Sequence, residues 1–175
     1  MAVVTFTPTY LAIGRGLPTN WSVYLGGLTF LGSLIASPLL GRLADQRDPL
    51  WVMVFTTGLI GPLMIVFSLP LPLWSLPLVI TVLGGAIGGS APAQNPVLTR
   101  AGSRFGRGQV FGIMMGILSL MASVSPALYG WLSDQVGLQR ALRVLVVPSV
   151  LGWLMLVVLA GVLRSRGVTL YREIR

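Results

Sequence analysis

The chain has no cysteine and no histidine, and its 12 basic residues are all arginine, so lysine is missing too. Each absence removes chemistry. Without cysteine there is no disulfide, no thiol nucleophile and no cysteine-based metal site. Without histidine, Ser-His-Asp, Cys-His and zinc-hydrolase arrangements cannot be built. Without lysine there is no Walker-type phosphate loop, so ATP hydrolysis by that route is excluded. Only four acids are present, Asp45, Asp48, Asp134 and Glu173. Most lie between apolar runs, which is poor ground for an enzyme. No catalytic residue, metal or cofactor is expected.

Charge is scarce as well. Charged residues make up 9% of the 175, against about 25% in soluble domains. Mean hydropathy is +0.86. No Asp, Glu, Lys or Arg occurs in 16–41, 49–99, 108–133 or 144–163. A bilayer core takes about 20 apolar residues per helix, so these gaps hold one, two, one and one spans. The net charge of +8 does not point to nucleic acid. The arginines sit between spans and form no patch with aromatics between them. The expected partner is the lipid bilayer.

The expected fold is therefore all-α, a polytopic membrane helix bundle. It has five full transmembrane helices and a partial first one, Ala2 to Ile13. Twelve residues reach only about 18 Å as helix, short of a core about 30 Å thick. This segment reads as the end of a helix whose beginning is missing; a re-entrant or interfacial segment is the other reading. The full spans are expected at about Trp21–Leu43, Leu50–Leu69, Leu71–Val97, Val110–Leu132 and Ala141–Leu163. "SLPLPLW" marks a tight turn between the second and third of these. Residues 1–175 form one transmembrane domain that ends in a polar tail, 164–175.

The arginines give an orientation. Nine of them (42, 47, 100, 104, 107, 164, 166, 172 and 175) fall in one set of loops, and Arg15, Arg140 and Arg143 fall in the other. The richer set belongs in the cytoplasm, which puts the C-terminus there too. A prokaryotic cytoplasmic (inner) membrane fits this pattern. Trp21, Trp51, Trp74 and Trp131 lie near span ends, as an aromatic belt requires. Trp153 lies mid-span, where it should pack.

One motif occurs twice. "SPLLGRLADQ" at 37–46 returns as "SPALYGWLSDQ" at 125–135. Gly41, Leu43 and Asp45 correspond to Gly130, Leu132 and Asp134, and Pro38 to Pro126. Each copy closes a span, three spans apart, so the copies run in opposite directions. This is an inverted 3+3 repeat, a plan of secondary transporters, with repeat 1 at about 1–69 and repeat 2 at about 70–165. The glycines allow close helix approach. Ser-Pro loosens the local backbone hydrogen bonds. Asp45, at the water boundary, can accept from the N-terminal N–H groups of a facing helix. It would then latch one side of a bundle, or merely cap its own loop.

At these residues the chain resembles the major facilitator superfamily. "GRLADQRDPL" is similar to that family's loop signature, G-x-L-[GAS]-D-[RK]-x-G-[RK]-[RK]. Gly41, Leu43, Ala44 and Asp45 match and Arg47 is kept. Gln46 stands where a basic residue is usual, and Asp48, Pro49 and Leu50 replace the glycine and basic pair. The resemblance implies a twelve-helix transporter of which this chain is the C-terminal six-helix half, cut short at its start. It implies transport of a small-molecule solute by alternating access, as efflux or uptake, and inactivity of this half alone. The first and fourth helices would line a cavity, the second and fifth would face the missing N-terminal half, and the third and sixth would face lipid. The alternatives are a half-size transporter working as a homodimer and a non-transporting membrane scaffold.

Polar residues along a solute pathway are few. Thr5, Thr9 and Tyr10 surround Pro8, with Thr5 and Thr9 on one helical face. Gln94 and Asn95 lie between Pro92 and Pro96. Each group can meet a solute, or else bond the local backbone or mark a helix mouth. Gly84-x-x-x-Gly88 and Gly85-x-x-x-Gly89 read as helix packing. No ionisable residue lies deep in a span, so any intramembrane proton carrier must come from outside this half.

Overall fold

The structure is a computed structural model. It describes the backbone of residues 2–165, and their side chains except at 2, 3, 98–105 and 107. Arg166, Arg172, Glu173 and Arg175 of the expected tail lie outside the described residues. The described elements are helical throughout. They are α1 (Ala2–Thr9), a π-helical turn (Tyr10–Gly14), α2 (Thr19–Gln46), α3 (Pro49–Ser68), α4 (Leu76–Phe105), α5 (Arg107–Val136), α6 (Leu138–Val144) and α7 (Val146–Ser165). Five segments are long and apolar enough to cross a membrane, with α6 and α7 together making the last.

The ends of these helices follow from their caps and prolines. Asp48 caps α3, its carboxylate accepting from the Leu50 N–H at 3.1 Å. Pro49 fills the first helical position, where a missing N–H costs nothing. The proline-marked turn falls where the sequence suggests, but α4 begins at Leu76, later than Leu71. Residues 69–75 are used in the turn, with Ser75 N–H bonding Pro72 O at 3.1 Å. Gly106 and Gly137 join α4 to α5 and α5 to α6 at φ of 86° and 84°, a region favourable only to glycine. The last span begins at Leu138 rather than Ala141 and breaks at Leu145. Pro148 explains the break, because it offers no N–H to the Val144 carbonyl. At 30 residues each, α4 and α5 are about 45 Å long and project beyond the core of a bilayer.

The tightest packing is between α2 and α4. A side chain at Gly32 would strike the Thr81 carbonyl, and one at Gly84 would strike Thr29. Gly88 faces Ser33, and Gly89 faces Leu40. Contacts advance together along both helices, so α2 and α4 run parallel, and α3 returns between them. Without these glycines the two backbones could not meet. The paired-glycine pattern is thus packing, as expected from the sequence.

The larger apolar cluster lies at the other end of α3. Tyr10, Leu11, Phe67, Leu76, Ile80, Tyr129, Ala141 and Leu142 are buried together there. The Arg15 guanidinium closes this end. Its Nη1 donates to Leu71 O at 3.0 Å, and its Nη2 donates to Leu69 O. Gln139 Nε2 donates to Ser68 O at 2.8 Å, and Arg143 Nε to Ser68 Oγ at 3.4 Å. Gln139 thus meets a carbonyl of the last turn of α3, at the negative end of its dipole, while Arg15 meets carbonyls of the turn that follows and Arg143 meets the Ser68 hydroxyl. Arg15 and Arg143, grouped by the sequence on one side, do lie together.

Elsewhere the surface is apolar and open. Trp21, Trp51, Trp74 and Trp131 are all exposed, in keeping with a belt. Trp153 packs mid-span as expected, its Nε1 donating to Val54 O at 3.1 Å. No residue of α7 is buried.

Gly84→Ala should lower the midpoint of thermal unfolding in detergent by several degrees, since overpacking costs about 1–3 kcal/mol. Gly112→Ala should hold or raise it. That glycine has nothing within 4 Å, and alanine is the better helix former.

Candidate functional site: the α2–α4 seam and the Asp45 end

The seam carries a ladder of hydroxyls. Ser33 Oγ donates to Gly84 O at 2.8 Å, and Ser37 Oγ donates to Gly88 O at 3.3 Å. Both pairs advance by four residues, one helical turn on each helix. The second has a specific cause. Pro92 has no N–H, so the Gly88 carbonyl four residues earlier loses its helical donor. Ser37 supplies one from the facing helix. The Ser-Pro of the repeated motif therefore serves α4 as well as α2. Thr29, beside this ladder, is buried at 3% exposure, and its Oγ1 has no hydrogen-bond partner.

At the end of the seam stand the motif residues. Gly41 is half-buried, and a side chain there would meet Pro92 Cβ at 3.6 Å. The atom nearest such a side chain belongs to α4 of this chain. Leu43 and Leu40 pack on a small cluster of Ala44, Val52 and Ala93. The Arg47 N–H closes α2 on Leu43 O at 2.9 Å. Asp45 is exposed, and its carboxylate has no hydrogen bond or ion pair among the described residues. It does not cap its own loop. Asp48, one of the residues that depart from the family signature, does that.

The second copy sits at the opposite end. The α2 copy ends beside the start of α3, whereas α5 ends near α6, whose Gln139 meets the last residue of α3. Pro126, Gly130 and Leu132 are half-buried, and Asp134 is exposed. A side chain at Gly130 would approach Phe6 Cζ of α1 at 4.0 Å. Thus Gly41 faces α4 and Gly130 faces α1.

The polar residues named from the sequence do not gather in one place. Thr5 and Asn95 are exposed, and Thr9 and Gln94 half-buried. Tyr10 is 1% exposed and lies in the packed cluster. Its ring is 5.1 Å from that of Phe67, and the Arg15 Cζ stands 5.9 Å above it. Tyr10 is the first residue of the π-helical turn. A side chain at Gly14 would come within 2.9 Å of the Tyr10 ring. Sequence periodicity gives no sign of that turn. The Ser33 and Ser37 pairings and the Arg15 clamp were also missed; only the four-residue spacing of Ser33, Ser37 and the glycines hints at the ladder.

The sequence profile of the Major Facilitator Superfamily matches residues 1–170. The chain belongs to this superfamily. It is an integral, multi-pass membrane protein. Among its relatives are the multidrug resistance proteins MdtG of Escherichia coli O1:K1 / APEC and of Escherichia coli strain K12 / DH10B. Each is 28% identical over 141 residues, covering 78% of this chain and 34% of the relative. The chain spans about a third of the length of these curated relatives. No solved structure matches it.

The Ser37–Gly88 pairing can be tested by a double-mutant cycle. Ser37→Ala should destabilise the bundle by about 1 kcal/mol, measured by unfolding in detergent. In a Pro92→Ala background, where residue 92 regains its N–H, the same change should cost much less.

Proposed function

We propose that the chain is the C-terminal six-helix half of a secondary transporter that exports a small organic solute. The observation that carries this is the unpartnered face of α5. None of residues 108–128 is buried, and Gly108, Gly112 and Gly116 have nothing within 4 Å. A small-residue stripe without a neighbour suits another transmembrane helix. The α2 face bearing Gly27 is equally bare. An N-terminal six-helix half, packed on α2 and α5, would cover both. The name of the MdtG relatives, multidrug resistance protein, supports a drug-like solute.

The opposed placement of the two motif copies supports an inverted repeat, with 1–69 and 70–165 as its units. Each motif glycine faces the first helix of the other unit. In this reading Gly41, Leu43, Asp45 and Arg47 form a latch at the cytoplasmic face, and Pro126, Gly130, Leu132 and Asp134 are its counterpart outside. The Asp45 carboxylate, exposed and without a partner among the described residues, accepts from a helix N-terminus of the partner half when that side closes. Transport occurs as the two halves rock. Thr5, Thr9, Tyr10, Gln94 and Asn95 are the candidate solute contacts. The C-terminus lies in the cytoplasm.

Proteoliposomes holding the chain alone should show no solute transport, and adding an N-terminal six-helix half should restore it. Equal transport by the chain alone would overturn this reading in favour of a homodimer. In the restored system Asp45→Asn should slow transport about two- to fivefold, the size of a helix-dipole contact, with no loss of assembly.

A further inference from the structure

The seam between α3 and α7 is closed at its waist. There the Trp153 indole lies on Gly58, and Val150 packs on Gly61. A cavity opens on each side of this waist. One, of 610 Å³, runs past Ile65 and Val147 to Ser68 and Arg143. The other, of 540 Å³, is walled by Trp51, Trp153, Val157 and Gly161, and it ends at Asp48 and Arg164. Both are within the size range of small-ligand sites.

The second cavity is built for an amphipathic molecule. Its walls are apolar, and Gly161 leaves it open, with nothing within 4 Å of that glycine. Its charged end lies at the start of α3 and the last turn of α7, level with the exposed Trp51. That is the headgroup depth of a bilayer, where tryptophan concentrates. Asp48 and Arg164 line the same cavity without pairing with each other. Asp48 spends one oxygen on the Leu50 N–H, and the Arg164 guanidinium has no partner among the described residues. Among the described residues neither group has a countercharge, so the slot offers one anionic and one cationic group to a ligand of both charges.

We propose that this slot binds an amine-bearing phospholipid. An acyl chain fills the channel along Val157 and Gly161, against Trp153. Arg164 holds the phosphate through charge-assisted hydrogen bonds, and Asp48 accepts from the ammonium. The cavity beyond the waist has Arg143 but no acid, so it does not select for an amine.

The test is native mass spectrometry of the purified full chain. It is offered equal amounts of phosphatidylethanolamine and phosphatidylglycerol with matched acyl chains. The wild-type chain should retain phosphatidylethanolamine over phosphatidylglycerol by roughly fivefold, the upper range for an exposed charge pair. Asp48→Asn keeps the helix cap, since asparagine caps as well as aspartate. It should bring the ratio to one or below while lipid is still retained. Arg164→Gln, and independently Gly161→Leu, which fills the channel, should lose the retained lipid. An equal ratio in the wild-type chain, an unchanged ratio in Asp48→Asn, or full retention in Gly161→Leu would overturn the proposal. So would loss of the lipid when an N-terminal six-helix half is bound, which would assign the slot to that half.

Discussion

In the core of a bilayer no water is present to satisfy a backbone carbonyl, so a proline in a spanning helix must be answered from within the protein. The Gly88 carbonyl, freed by Pro92, is answered by Ser37 at 3.3 Å. The answer is possible only because Gly32, Gly84 and Gly88 bring α2 and α4 into backbone contact. Hydroxyl, proline and glycines are one device. It sets two parallel helices side by side and obliges α3 to return between them. It also places Asp45 and Asp48 at one end of the bundle and the end of α3 at the other.

The rest of the bundle hangs on that pair unevenly. At the far end, Arg15, Gln139 and Arg143 tie the first segment and α6 to the end of α3 and the turn after it. The larger buried cluster lies beneath them. At the Asp45 end the cluster is small and the carboxylate has no partner among the described residues. One end is pinned by internal hydrogen bonds, and the other presents a charge to whatever docks there. A bundle that moves as one body against a neighbour needs both properties. The bare faces of α2 and α5 are where such a neighbour would sit.

The spans were legible in the sequence because the bilayer is a simple solvent: it excludes charge, so gaps between charges mark helices. Helix ends were less legible: the break at Leu145, which Pro148 causes, and the cap that Asp48 supplies emerged only in the structure. Gly84 and Gly88 could be read as packing, but not as packing on Thr29 and Ser33, because partner and register are tertiary facts. The repeated motif drew attention to Ser37 and Gly41, yet their contacts turned out to lie with α4 of the same chain. Arg15 counted as an orientation signal, and its hydrogen bonds to carbonyls more than fifty residues away left no trace in spacing. Tyr10, named with Thr5 and Thr9 around Pro8, is buried against Phe67, a tertiary contact that the local sequence does not announce.

The absence of native cysteine makes the central claim directly measurable. With Leu34→Cys and Leu78→Cys, both exposed positions on α2 and α4, spin labels can report the distance across the seam by pulsed electron paramagnetic resonance. If the Ser37–Gly88 bond and the glycine contacts hold α2 and α4 as one body, the distance distribution is single and narrow. It stays so whether or not an N-terminal half and a solute are bound. A broad or two-peaked distribution, or a shift on binding, would contradict the account.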